Sequence, residues 1–208
     1  MALASQITLD SIAAPQPARA AVLAAAADED LMDGFARSAD EALFEELVRR
    51  YTPAAYRAAL AMLSDAGAAA DAVQEGFLHL VRARRGWRPG AVFRSWLFAI
   101  LRNVCRDELR RAARPEPPAA APAGPPEPLA RLQAREQAAA AARAFAELPE
   151  SDREVLALRI HGGLEFAQIA AACGLSTAAA KKRACRALEL LRRRLSARHP
   201  AMTPTGQS

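Results

Sequence analysis

Apolar side chains in the first half of the chain recur every three or four residues, which is the spacing of amphipathic helices. The pattern predicts four helices. Their apolar positions are, in order, Phe44, Leu47, Val48 and Tyr51; Tyr56, Leu60 and Leu63; Val73, Phe77, Leu80 and Val81; and Phe93, Trp96, Leu97, Ile100, Leu101 and Val104. Pro53 should separate the first two helices, because an internal proline removes a backbone hydrogen bond. The third helix should end before Gly86 and the fourth near Arg111.

The C-terminal part of the chain carries a pattern typical of a helix-turn-helix, from Leu164 to Arg183. Gly174 can end the first helix in the left-handed conformation, and Ser176 can cap the second. The second helix would bury one stripe and turn a basic face toward DNA. The expected stripe is Ala180, Ala184, Leu188, Leu191 and Leu195, opposite Lys182, Arg186 and Arg193. A surface hairpin with solvated arginines is the alternative interpretation.

No alternating strand pattern competes with these helices, so the sequence predicts an all-α fold. Seven of the fourteen prolines lie between residues 115 and 128, where they exclude helix and favour extended backbone. We therefore expect two small helical domains joined by a Pro-rich linker. The expected division is a disordered N-terminal tail at 1–27, a first domain at 28–113, the linker at 114–128, a second domain at 129–197 and a disordered tail at 198–208.

Charge is distributed in blocks. The net charge is −7 over residues 1–80, +8 over 81–114, −3 over 115–176 and +7 over 177–208, within a total of +5. Two compact basic blocks separated by acidic sequence favour two nucleic-acid contacts over a diffuse solubilising charge. Solvated arginine faces are the alternative.

Few residues suit metal or redox chemistry. Cys105, Cys173 and Cys185 show no ligand spacing with one another or with the three histidines, so no disulfide framework, metal site or cofactor is predicted. Cys173 should pack as a small apolar residue, and Cys185 should face outward, where a redox role is left open. No segment is long and apolar enough to span a bilayer, so we expect a cytoplasmic protein without membrane insertion.

The fourth predicted helix and the loop before it combine arginines with aromatic rings, as single-strand binders do. Trp87 lies in that loop, where stacking on an unpaired base and packing within the loop are both compatible with its position. Phe93 and Trp96 fall on the apolar stripe and are expected in the core. The third helix instead has an acidic, lightly apolar side, which suits a basic protein partner or is an ordinary solvated face. Its residues are Asp71, Gln74, Glu75 and Leu78.

These motifs resemble a known family. Residues 71–78 (DAVQEGFL), 93–103 (FRSWLFAILRN) and 107–111 (DELRR) are similar to region 2 of the extracytoplasmic-function (ECF) sigma factors of bacterial RNA polymerase. Residues 148–156 (LPESDREVL), with Gly163-Leu164, Ile169-Ala170 and residues 181–188 (KKRACRAL), resemble their region 4. The resemblance covers most of residues 40–195. It departs at Ala70, where the family usually has Glu, and at residues 178–180, where it often has Gly-Thr-Val.

The resemblance implies that the chain binds core RNA polymerase and directs it to promoter DNA, with an anti-sigma factor as a further partner. The family's acidic helix docks on the clamp helices of the β′ subunit, which here implicates Asp71, Gln74, Glu75 and Phe77. The following loop and helix recognise and melt the minus-ten element, which implicates Arg84, Arg85, Trp87, Arg94, Arg102, Asn103 and Arg106. Region 4 reads the minus-thirty-five duplex while its concave side holds the β flap, which implicates Ser176, Thr177, Lys181, Lys182, Arg183 and Arg186.

Two other classes of function compete with this interpretation. A helix-turn-helix regulator that acts as a dimer without polymerase is the alternative, since such proteins read half-sites with the same motif. The basic fourth helix and the acidic third helix would form poor dimer cores. An enzyme is poorly supported, because the sequence has no phosphate-binding loop, metal-ligand spacing or nucleophile elbow.

Overall fold

The computed structural model describes residues 17–112 and 139–198. All regular structure in these ranges is helical, which confirms the predicted fold class. The helices are α1 (Pro17–Ala25), α2 (Asp28–Ser38), α3 (Glu41–Leu63), α4 (Ala66–Ala83), α5 (Phe93–Ala112), α6 (139–146), α7 (Glu150–Ile160), α8 (Phe166–Cys173) and α9 (Thr177–Arg198), with a 3-10 turn (Arg84–Gly86) after α4. We call α1–α5 the N-terminal module and α6–α9 the C-terminal module. The predicted linker, and the predicted tail beyond Arg198, lie outside the described residues.

Helix α1 was not predicted. The disordered tail expected over residues 1–27 is wrong for residues 17–25, which are helical. Arg50 of α3 explains the difference, because its guanidinium donates hydrogen bonds to the carbonyl oxygens of Leu23, Ala24 and Ala26 at 2.7, 3.0 and 2.9 Å. Carbonyls at a helix C-terminus have no partner within the helix. Their partner here comes from a distant part of the chain, which local sequence patterns do not reveal.

Helix α3 continues through Pro53, where the sequence predicted a break. Pro53 is exposed. The helix buries one continuous face on both sides of it, formed by Leu47, Tyr51, Ala55, Ala58, Ala59 and Met62. An internal proline costs roughly 3 kcal/mol, whereas full burial of one large apolar side chain contributes about 1.5–3 kcal/mol. Burial along this face therefore outweighs the local cost of Pro53.

Aromatic rings fix the helices of the N-terminal module against one another. Phe35 of α2 stacks on Phe44 of α3 with ring centroids 4.9 Å apart, and Phe44 meets Phe77 of α4 edge-on at 6.1 Å. Tyr51 of α3 meets Phe93 of α5 at 5.1 Å, also edge-on. Both arrangements are favourable for aromatic pairs. Through these contacts α5, which carries three of the five arginines that the resemblance implicates in the minus-ten element, is held on α3.

Helix α9 buries a narrower stripe than predicted. Ala180, Ala184 and Ala187 are buried, and Leu191 is half-buried. The prediction that Leu188 belongs to the stripe is wrong, because 52% of its surface is exposed. The buried side of α9 therefore runs through positions 180, 184, 187 and 191, in steps of four and three residues that follow the helical period. Leu188 comes one residue after Ala187 and is turned about 100° away from this side. The small buried residues let α9 pack closely on α7 and α8.

The two modules share one continuous hydrophobic core. Helix α3 packs against α7, and α5 packs against α8. Phe98 of α5 is fully buried, and a Cβ added to Gly162 would lie 3.2 Å from its Cδ1 atom. On α8, three small residues line a groove facing Trp96 and Ala99 of α5. They are Ala167, Ala171 and Ala172. Gln168 of α8 lines the same groove.

Glu46 of α3 should make the stability of the chain sensitive to acid. Its carboxylate accepts hydrogen bonds from Arg49 and Arg50 at 2.6–2.8 Å. The bond from Arg49, assisted by Arg50 against the effect of burial, lowers the pKa of Glu46 from 4.5 to about 2. A carboxyl group whose pKa is lower in the folded than in the unfolded chain stabilises the folded state at pH values above about 4.5. This contribution to stability is lost as the pH falls from about 4.5 toward about 2. In urea unfolding, Glu46→Gln should lose less stability than wild type between about pH 6 and about pH 3; equal losses would contradict this.

Candidate nucleic-acid interface

The turn between α8 and α9 has the geometry that the sequence predicted. Gly174 has a φ angle of 65°, which is in the left-handed region. The Oγ atom of Ser176 accepts a hydrogen bond from the backbone N–H of Ala179 at 3.1 Å and so caps α9. The exposed residues at the start of α9 are Ser176, Thr177, Lys181 and Lys182, and Arg183 is half-buried. Positive side chains on the first turns of an exposed helix suit a duplex groove.

Arg186, which the sequence assigned to DNA, forms a forked ion pair with Asp152 of α7. Its Nε and Nη2 atoms donate to the two carboxylate oxygens at 2.6 and 2.5 Å. Asp152 is completely buried, whereas about half of the Arg186 side chain, 52%, is exposed. Arg186 therefore ties α9 to α7 and still reaches the surface.

Trp87 is buried in this structure, so its ring packs within the module. The indole Nε1 donates to Asp33 of α2 at 2.5 Å. The ring centroid lies 5.3 Å from that of Trp96 and 6.3 Å from that of Phe93. Phe93 is fully buried, as predicted, and Trp96 is half-buried. Trp87 thus holds the loop at residues 84–92 onto α2 and α5.

Two arginines of α5 that the family resemblance implicates in the minus-ten element contact the C-terminal module. The Nη1 atom of Arg94 donates to the carbonyl oxygen of Gly162 at 3.2 Å. Arg102 is only 6% exposed. Its Nε lies 2.6 Å from Oε1 of Glu154, its Nη2 donates to Oε2 of Glu154 at 3.3 Å, and its Nη1 donates to the carbonyl oxygen of Ala172 at 2.9 Å. In this arrangement Arg102 is closed to DNA.

The charge of Glu154 acts on both modules. Burial, together with this carboxylate, raises the pKa of the Cys105 thiol on α5 to about 12. The same two causes raise the pKa of Cys173, at the end of α8, to about 11. Both thiols are therefore protonated at neutral pH and behave as packing residues. Cys185 is exposed, as predicted.

The remaining minus-ten candidates differ in exposure. Arg85 and Asn103 are exposed, and Arg106 is half-buried. Arg84 is also half-buried; its guanidinium lies 5.9 Å from the ring centroid of Phe35 and its Nη1 donates to the carbonyl oxygen of Val81 at 3.1 Å. Asn103 lines a cleft between α4 and α5 with His79, Arg82, Ala83 and Ile100.

Helix α4 presents an acidic patch, which we define as Asp71, Gln74, Glu75 and Leu78. Asp71 and Gln74 are exposed, and Leu78 is 43% exposed. Oε1 of the half-buried Glu75 lies 2.8 Å from Nε2 of His79. Phe77, which the resemblance assigned to polymerase docking, is instead buried against Phe44.

Four residues that organise these surfaces could not be assigned from the sequence. They are Asp33, Asp152, Glu154 and Gly162. Asp152 and Glu154 lie within residues 148–156, one of the segments that carried the family resemblance. Their partners are 34 and 52 residues away in the chain, so nothing in the local pattern assigned them a role.

Metal-binding clusters and membrane-spanning helices are both absent from residues 17–112 and 139–198. Those ranges contain no group of three His, Cys, Asp or Glu residues that could hold a metal ion. They also contain no helix with the length and apolar composition needed to cross a bilayer.

A helix-turn-helix in one module and a basic, arginine-rich helix in the other define a two-module helical protein of the DNA-binding class. The sequence profile of Sigma-70 region 2 matches residues 47–115, and that of Sigma-70, region 4, matches residues 138–191. RNA polymerase sigma factor CarQ of Myxococcus xanthus is 32% identical over 168 residues, which cover 77% of this chain and 93% of CarQ. ECF RNA polymerase sigma factor SigM of Mycobacterium tuberculosis is 32% identical over 160 residues, which cover 75% of this chain and 79% of SigM.

A solved structure agrees with these relatives. CnrH, in complex with the cytosolic domain of CnrY, has a TM-score of 0.63 and 29% identity to this chain, and the match covers 82% of this chain and 97% of CnrH. The chain therefore belongs to the ECF group of the sigma-70 family of RNA polymerase sigma factors. Sigma factors bind core RNA polymerase and promoter DNA in transcription initiation. The alternative of a dimeric regulator without polymerase is not favoured.

Trp87→Ala should destabilise the N-terminal module by about 3–5 kcal/mol, which is the usual cost of deleting a buried aromatic ring. Trp87→Phe keeps most of the ring and loses only the indole bond to Asp33, so it should cost less. Urea unfolding measures both. An unchanged midpoint for Trp87→Ala would show that the ring is not buried in solution.

Asp152→Asn should lower the melting temperature of the chain by roughly 4 °C or more. The substitution removes the negative charge that the Arg186 fork requires and leaves a buried amide in its place. Glu189→Gln is the matched control, because Glu189 forms only an exposed pair with Arg193 and should shift the melting temperature little. Equal shifts measured by circular dichroism would argue against the fork.

Proposed function

We propose that the chain is a noncatalytic, cytoplasmic initiation factor in which each module has a separate task. Region 2, at residues 28–113, docks on core polymerase through α4 and recognises the minus-ten element through the loop at 84–92 and α5. Region 4, at residues 129–197, reads the minus-thirty-five element through α9. The observation that carries this proposal is the separation of exposed charge, which is acidic on α4 of one module and basic at the start of α9 of the other.

The acidic patch supports docking on the clamp helices of the β′ subunit. Asp71, Gln74 and Glu75 offer oxygen atoms to a basic partner, and Leu78 adds apolar contact. Phe77 is buried, so its part is to hold α4 in place against Phe44. The polar contacts with polymerase are then made by Asp71, Gln74 and Glu75.

Exposure of Arg85 and Asn103 supports a minus-ten surface on the N-terminal module. Arg84 and Arg106 are half-buried and add positive charge to it. Arg102 becomes available only when the modules separate, whereas Arg94 is exposed. Trp87 positions the loop through Asp33. Binding of unstacked bases can drive promoter opening, since each base–aromatic stack contributes about 1–3 kcal/mol, and the half-buried Trp96 is an aromatic ring near this surface.

The exposed start of α9 supports duplex recognition. Thr177, Lys181 and Lys182 can reach phosphates or base edges, whereas residues 178–180 are alanines that offer only methyl contacts. Arg183 and the outer edge of Arg186 extend the basic surface. Asp152 fixes the angle at which Arg186 is presented. The concave side of this module is left for the β flap.

An anti-sigma factor is the further partner that we propose. The related CnrH was solved with another protein's cytosolic domain bound to it. The burial of Arg102 against Glu154 of the C-terminal module also agrees with a state in which this side chain is unavailable to promoter DNA. A protein that stabilised this state would keep the factor inactive.

Run-off transcription with core polymerase and a library of genomic promoter fragments tests the proposal. The wild-type chain should support initiation at some fragments. Asp71→Arg with Glu75→Arg should abolish co-elution with core polymerase and leave duplex binding intact. Lys181→Ala with Lys182→Ala should leave co-elution with core polymerase intact and weaken duplex binding. The slope of log binding constant against log salt concentration should fall by about one unit for each phosphate that is no longer neutralised.

The two double variants serve as controls for each other, because each changes two charged side chains on the surface of one module. The same defect in both assays for both variants would argue against separate tasks. Failure of the wild-type chain to support initiation at any fragment would overturn the proposed function.

A further inference from the structure

A recess between the two modules is lined by residues that the proposed function does not use. It lies between the second half of α3 and α6, beside the end of α7, and its volume is about 440 Å³. Sites for small organic ligands commonly measure about 300–1,000 Å³. Most of the wall is apolar, and it is formed by Leu60 and Ala61 of α3 and by Ala142 and Phe145 of α6. A molecule that fits the recess therefore needs an apolar body.

The charged groups of the recess are all basic. Arg57 of α3, Arg143 of α6 and His161, directly after α7, line it, and none of the described residues around it is acidic. Elsewhere between the modules an arginine has a carboxylate partner, as Arg102 has in Glu154. An anion from outside the chain can supply the negative charge that the recess lacks.

His161 shows that positive charge is concentrated in this recess. Its imidazole is half-buried. Burial, together with the positive charge of Arg57, lowers the pKa of the imidazole. Arg57 and His161 are therefore close enough for their charges to interact. A carboxylate bound beside them would attract the protonated imidazole and raise the pKa of His161.

We propose that the recess binds a small amphiphilic anion, a carboxylate with an aliphatic body of medium length, with the head group at Arg57, Arg143 and His161 and the body against the apolar wall. A guanidinium binds a carboxylate through two parallel hydrogen bonds, which suits the arginines on α3 and α6. The apolar wall removes the aliphatic body from water. This site is separate from the polymerase and DNA contacts of the proposed function and does not depend on them.

Titration calorimetry of the full chain with decanoate, below its critical micelle concentration, tests the proposal. Binding should saturate at a single decanoate per chain. Octanoate should bind on the order of 10-fold more weakly, because it buries two fewer methylene groups. Decanol keeps the aliphatic body and lacks the charge, so it should also bind more weakly, by about 10-fold or more.

Variants separate the charged part of the site from the apolar part. Arg57→Gln with Arg143→Gln removes both permanent charges, so it should weaken decanoate binding by about 10-fold or more and leave decanol binding unchanged. The matched control, Arg37→Gln with Arg192→Gln, removes one exposed arginine from each module outside the recess and should change neither affinity. Ala142→Phe should abolish binding of both ligands, because Ala142 is an exposed residue of the wall and the larger ring fills the recess. Circular dichroism checks that every variant is folded.

The wild-type chain provides a further measurement through His161. In a pH titration followed by NMR, decanoate should raise the pKa of His161, since a bound carboxylate favours the charged imidazole. Arg57 and Arg143, the other charged groups that line the recess, act in the opposite direction. His161→Gln identifies the resonance. His79 is exposed on α4, so its resonances should not move when decanoate is added.

Equal affinity for decanoate and decanol, or binding without saturation, would overturn the anion site. A folded Ala142→Phe chain that binds decanoate as wild type does would have the same consequence. Concentration-dependent dimerisation that Ala142→Phe prevents would assign the recess to a second copy of the chain and would also overturn the site. Each of these results leaves the proposed function standing, because run-off transcription tests that function without the ligand.

Discussion

Arg102 and Glu154 form a buried ion pair that joins the two modules. The pair lies beside a shared apolar core, where Phe98 packs on Gly162. Apolar contact brings the modules together, and the ion pair fixes their register, because each charge is acceptable in the interior only opposite the other. Arg102 on α5 must therefore lie opposite Glu154 on α7, and its remaining hydrogen bond to Ala172 holds α8 beside them.

The same principle operates within each module. Asp152 is fully buried and is balanced by Arg186, which thereby sets the angle of the recognition helix. Asp33 accepts the indole hydrogen bond of Trp87 and so holds the basic loop in place. Arg50 donates hydrogen bonds to carbonyl oxygens at the C-terminal end of α1. In each case a polar group from a distant part of the chain supplies the hydrogen-bond or ion-pair partner that neighbouring residues do not provide. The side chains proposed to contact DNA are thus positioned by groups that lie behind them in the fold.

Local patterns explain which of these features were predictable. The all-α class, the Gly174 turn, the Ser176 cap and the burial of Phe93 depend on residues within a few turns, and the structure confirms them. The prediction of a break at Pro53 was wrong because burial on both sides outweighs a local cost, and the placing of Leu188 was wrong by one residue on the helical wheel. Helix α1 and the burial of Arg102 depend on partners 27 and 52 residues away. Periodicity contains no information about such pairs.

The distance between the modules is the quantity that tests this account most directly. Spin labels at cysteines introduced at the exposed positions Ser38 and Ser196, with the exposed Cys185 replaced by Ser, would report it by pulsed electron paramagnetic resonance. One short distance is expected in the free chain, and a longer one in the complex with core polymerase and melted promoter. An unchanged distance in that complex would show that the closed arrangement is the active one and would contradict the proposal that the modules separate to expose Arg102.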